Sequence, residues 1–173
     1  MESIKIIALC IAAGILYGIA HDQITARICL EYFTVFHPPV FRTESPTLLG
    51  IGWGIIATWW VGAFLGLLLA VSSRFGSQPK VHAADLAPRI AALLCLMAAC
   101  ALLSGFGGFA WARGQTPPVS WIRPSSSCSY ARFMADAWAH SASYLSGFVG
   151  GLWICAHTIW QRMHALPSPR RIG

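Results

Sequence analysis

At 173 residues the chain has room for one domain. Hydrophobic residues make up 56% of it and charged residues only 10%, against roughly 25% charged in average soluble domains, so a water-facing globule is excluded and lipid is the solvent that fits. The net charge of +6 does not point to nucleic acid, because the basic residues are scattered between apolar runs and no zinc-finger, helix-turn-helix or RNA-binding signature is present.

The first apolar run, Ile4 to Ala20, is slightly short of the ~20 residues that cross the hydrocarbon. The span is therefore read as 4–23, finishing among His21, Asp22 and Gln23. A cleaved signal peptide, with Gly18 and Ala20 at the small positions, is the alternative; the uncleaved span is the expectation. Beyond it, Arg27 and Glu31 stand four apart and would share a helix face. Phe36-His37-Pro38-Pro39 ends any helix there.

Ser45-Pro46 is a helix start, serine as cap and proline in the first turn. It opens a second span over 47–71. Gly50, Gly54, Thr58, Gly62 and Gly66 recur every four residues along this span and form a stripe that lets another helix approach closely. After a polar linker, Asp85 is a candidate cap for the third span, read as 89–112, with Pro88 in its first turn. Cys100, Ser104, Gly108 and Ala112 form a second small stripe, and Gly114 with Pro117-Pro118 stops the helix. Ser125, Ser126 and Ser127 are cap candidates for a last helix that starts near Cys128 and crosses the membrane over 138–161. Arg132, Asp136, His140 and Tyr144 fall four apart on it, and Gly147 and Gly151 continue that face.

The expected fold class is all-α: a four-transmembrane-helix bundle forming one integral membrane domain over 1–173. Lys5, Arg74, Lys80, Arg89, Arg162, Arg170 and Arg171 on one side outnumber Arg27, Arg42, Arg113, Arg123 and Arg132 on the other, which places both termini in the cytoplasm. Of six cysteines, Cys10, Cys95, Cys100 and Cys155 lie inside apolar runs as packing residues. Cys29 and Cys128 lie between spans, where an oxidising compartment would let them pair.

Alternating spans collect the polar groups at one mouth. His21, Asp22, Glu31, His37, Asp136 and His140 are nitrogen and oxygen donors of the kind zinc, manganese or iron accept, with Gln23, Arg27, Arg132 and Tyr144 in support. His21, Asp22, Asp136 and His140 are expected within one small site. No HExxH motif accompanies them. The bland expectation is a structural or accessory subunit working through helix contacts. The alternative is a divalent-metal- or small-ligand-binding protein, with acid/base catalysis or proton-coupled transport as its chemistry. Haem held by His21 and His140 is the least favoured. The partners expected are the lipid bilayer and a second protein or copy, not nucleic acid.

The run His-Asp-Gln-Ile-Thr-Ala-Arg-Ile-Cys-Leu-Glu-Tyr-Phe-Thr, from His21 to Thr34, with Ser45-Pro46-Thr47 and Trp138-Ala139-His140-Ser141, resembles a family of uncharacterised bacterial polytopic membrane proteins of about four spans. The resemblance covers most of the chain. It implies a bacterial inner-membrane setting and no particular chemistry.

Overall fold

The computed structural model describes residues 1–116 and 128–165. The described residues form helices and connecting loops without a strand: α1 (Glu2–Ile28), α2 (Leu30–Thr34), α3 (Pro46–Ile56), α4 (Trp59–Arg74), α5 (Ala83–Ala112) and α6 (Tyr130–His164). Pro117-Pro118, the Ser125–Ser127 caps and the tail prolines and arginines fall outside the described residues.

Helix α1 runs past 23, because neither glycine nor proline interrupts His21 to Ile28. It ends where Cys29 turns extended at φ −144°, ψ 99°. The short α2 follows at once. Ser45 caps α3 by accepting the Leu48 amide, with Pro46 in the first turn.

The second span is not one helix. The Thr58 hydroxyl donates to the Gly54 carbonyl, one turn back. The Thr58 amide bonds Ile55 O at 3.3 Å, a tighter spacing than α-helical. Back-bonding of this kind bends helices, and the rod breaks between α3 and α4 at Ala57–Thr58.

Helix α5 starts six residues earlier than 89. His82 and Asp85 cap it reciprocally, the His82 amide donating to Asp85 Oδ2 at 3.1 Å. It stops at Ala112, and Gly114 takes φ +85°, a conformation glycine adopts without strain. Helix α6 begins at its own cap, Ser129, whose hydroxyl accepts the Arg132 amide at 3.4 Å.

Two antiparallel pairs build the molecule. Helix α1 lies against α3 and α4 so closely that a Cβ on Gly54 would stand 2.5 Å from Ile19 N, one on Gly18 2.5 Å from Gly54 O, and one on Gly62 2.6 Å from Cys10 O. Gly50 meets Gln23 and Gly66 meets Ile7 and Cys10, so the stripe runs the length of α1. Helices α5 and α6 pair likewise, with Gly108 against Met134 and Gly147 against Met97. Ile6, Leu69, Leu86 and Ile154 join the two pairs in a buried cluster at one end.

At that end Arg162, 6% exposed, reaches four carbonyls. They are Ser72 O at 2.5 Å, Phe75 O at 2.7 Å, Pro79 O at 2.8 Å and Gln78 O at 3.3 Å. It closes the C-terminus of α4 and orders the linker after it.

The outer surface is apolar: Leu103, Phe106 and Trp153 are 75%, 73% and 69% exposed. Among the described residues three segments are long and apolar enough to cross a membrane: Glu2–Ile28, Pro46–Arg74 and Ala83–Ala112. Helix α6 has the length but a more polar first half.

Candidate functional site

Helix α1 carries His21 and Asp22 to the mouth opposite Arg162, and α6 descends beside it with His140. The His140 Nε2 stands 3.2 Å from Asp22 Oδ1. Its Nδ1 lies 2.9 Å from the Asp136 carbonyl. A carbonyl only accepts, so Nδ1 carries the hydrogen, and the Nε2 of a neutral ring then faces a carboxylate with a lone pair. Two acceptors at that distance need a proton or a cation between them.

The His21 ring meets His140 edge-on, centroids 4.5 Å apart, and its Nε2 is buried without a hydrogen-bond partner. One donor atom from each of His21, Asp22 and His140 lies within 4.8 Å of the other two. One turn deeper, Tyr17 Oη and Ser143 Oγ share a hydrogen bond of 2.8 Å, again joining α1 to α6.

Asp136 is fully buried. Its carboxylate lies beside the Cys29 backbone, yet neither oxygen makes a hydrogen bond of good geometry. Two carboxylates, Asp22 and Asp136, are thus buried together. Among the described residues no lysine or arginine forms an ion pair with either. An uncompensated buried charge costs several kcal/mol or more.

A lid covers the site. Tyr32 of α2 stacks on His140 at 4.6 Å and Phe33 approaches it at 5.8 Å. Burial, and then the nearby Asp136 carboxylate, push the Tyr32 phenol up to about 12, so it stays a neutral ring. A disulfide between Cys29 and Cys128, Cα atoms 5.3 Å apart, ties the α1–α2 junction to the start of α6 and holds this lid in place.

The other expected candidates lie outside this three-donor group. Glu31 Oε2 lies 3.8 Å from Cys29 Sγ, beside the disulfide. The break at Cys29 removes the helical register that would have set Glu31 over Arg27. Arg27 instead bonds Gln23 Oε1 and Thr47 Oγ1, both at 2.8 Å, while Gln23 Nε2 donates to Thr47 O at 2.9 Å. These contacts fasten α1 to the start of α3. His37 Nδ1 bonds Tyr32 O at 2.6 Å and its ring packs on Trp53. Arg132 is exposed at the start of α6, and Tyr144 is 45% exposed. Gly147 and Gly151 pack against Met97 and Leu65. Tyr17 and Ser143 carried no signal in the sequence, since an isolated tyrosine in an apolar run reads as packing.

Below the site a cavity of about 120 Å³ continues between α1, α4, α5 and α6. Comparison with protein families, curated proteins and solved structures finds no match to this chain.

Proposed function

We propose that this chain is a multi-pass inner-membrane protein that binds a divalent cation of the zinc class at its mouth through His21, Asp22 and His140. Helix α6 is the fourth span of the bundle, its polar half turned inward to the site. One observation carries the reading: two imidazoles and a carboxylate, brought from helices at opposite ends of the chain, offer donors within 4.8 Å of one another under a closed lid. Nitrogen and oxygen donors in this number suit zinc and its neighbours. The Asp136 carbonyl on His140 Nδ1 is the outer contact that fixes a ligating histidine's tautomer. The cation would offset the charge of Asp22 and Asp136.

Both termini are cytoplasmic in this reading and the site is periplasmic. The disulfide supports that orientation, because such bonds persist in oxidising compartments. The excess of lysine and arginine on the opposite side supports it too.

Elemental analysis of protein purified without chelator should find close to one zinc-class ion per chain. His21→Ala and His140→Ala should lose it while eluting as the wild type does on size exclusion. Protein that stays metal-free, and shows no ligand-field absorption on adding cobalt(II), would sink the proposal. In that case His140 and Asp22, with Tyr17 and Ser143 below, form a polar clasp between α1 and α6. The chain is then an accessory subunit acting through its contacts, a reading the 2.8 Å Tyr17–Ser143 hydrogen bond favours.

A further inference from the structure

The cavity beneath the site is walled by four helices over several turns. On α1 its lining runs from Cys10 to Asp22, and on α6 from His140 to Ile154. At 1.5 Å per residue those stretches correspond to roughly 18–21 Å along the axis. A cavity of about 120 Å³ drawn out over that height is a slot along the bundle axis. Its deep walls are side chains such as Leu65, Leu93, Leu94 and Met97, while the polar groups gather at the upper end around His21, Asp22 and His140.

Water does not occupy a hydrocarbon-walled slot, which offers it too few polar partners. Nor, among the described residues, does the lining continue as a polar path that would conduct ions. An empty slot would forfeit dispersion contacts along both helix pairs. Its height suits a single extended chain. The buried His21 Nε2, without a hydrogen-bond partner, marks its upper end as the place for a polar head. Three protein donors also leave a zinc-class ion with an open position, as in sites that bind a further ligand.

We propose that the slot holds the hydrocarbon chain of a single-chain lipid of the fatty-acid or monoacyl class, with its carboxyl or ester head at the His21–Asp22–His140 site. The head contact rests on the metal reading above; the chain contact does not. The bilayer supplies such molecules directly.

The test uses the full chain in lipid nanodiscs with a diazirine-bearing palmitate as the probe. Photolabelling of Leu93, Leu94 or Met97 should saturate and be competed by unlabelled palmitate. Labelling of Leu103 and Phe106, which face outward on the same helix, should rise without saturation. Leu94→Trp, which fills the slot away from the ligands, should reduce the saturable labelling at least tenfold at unchanged metal content, and Ala13→Leu should act in the same direction. His140→Ala should weaken palmitate competition about tenfold while slot labelling persists.

Saturable labelling in wild-type protein that proves metal-free supports the chain site and removes only the metal. Labelling confined to Leu103 and Phe106, or saturable labelling untouched by both filling variants, overturns the proposal. Competition unchanged in His140→Ala overturns the placement of the head.

Discussion

At the scale of single residues, the mouth and the opposite end of the molecule handle buried charge in different ways. Arg162 satisfies its donors with four backbone carbonyls from the last turn of α4 and the linker after it. A lysine cannot reproduce that fork, having three donors around a point. Arg162→Lys should therefore rescue little, and Arg162→Met should destabilise by about 3 kcal/mol, the scale of losing charge-assisted hydrogen bonds. Denaturant unfolding in detergent, followed by tryptophan fluorescence, checks this; a variant as stable as the wild type would show that the linker orders itself. Asp136 is the converse, a buried carboxylate beside the Cys29 backbone with no cationic side chain paired to it among the described residues. If it balances a cation held one turn away, Asp136→Asn should weaken zinc binding roughly tenfold, the lower end of what outer contacts of a metal site contribute. A chelator competition titration reads this directly, and an unchanged constant would remove Asp136 from the site's charge balance.

At the scale of elements, the glycines of α3 and α5 differ in what a methyl group would meet. On Gly54 it would strike the Ile19 backbone at 2.5 Å, and backbone cannot swing aside. On Gly107 it would touch only the Trp138 ring at 3.6 Å, an ordinary contact. Alanine is the better helix former by about 1 kcal/mol. Gly107→Ala should therefore be neutral or mildly stabilising, whereas Gly54→Ala should cost on the order of 2–3 kcal/mol through overpacking. The same unfolding assay separates them; equal effects would mean α1 and α3 are less closely apposed than 2.5 Å implies. The stripe from Gly50 to Gly66 was legible in the sequence because a spacing of four is a helix face, whatever partner covers it. The break at Ala57–Thr58 was not, since threonine fits that stripe as a small residue and only its hydroxyl on Gly54 O bends the rod. Arg162 was legible only as a positive charge near the membrane surface, because carbonyls brought from residues 72–79 leave no local pattern. His21, Asp22 and His140 were readable as groups of one mouth from the alternation of spans. That Glu31 and His37 stand apart from them depends on the turn at Cys29, which no spacing announced.

At the scale of the molecule, large apolar side chains cover the outside while the buried polar groups of the mouth sit between α1 and α6, an arrangement that lipid supports and water does not. In the proposed orientation the disulfide faces the oxidising side. Cys29 and Cys128 are joined, whereas Cys10, Cys95, Cys100 and Cys155 are free thiols. Maleimide labelling of unfolded, unreduced protein should therefore add four labels by intact mass, and six after reduction. The lid connects this count to the site, because Tyr32 and Phe33 reach His140 from a helix that begins next to Cys29. Loss of the bond in Cys29→Ser, or after treatment with a membrane-impermeant reductant, should free α2 and speed zinc loss to a chelator several-fold. The reductant should act from the periplasmic face of spheroplasts and fail from the cytoplasmic face of inverted vesicles. Six labels without reduction would contradict the joined pair. A reductant effective only in inverted vesicles would turn the whole molecule over, placing the mouth and its lid on the cytoplasmic side.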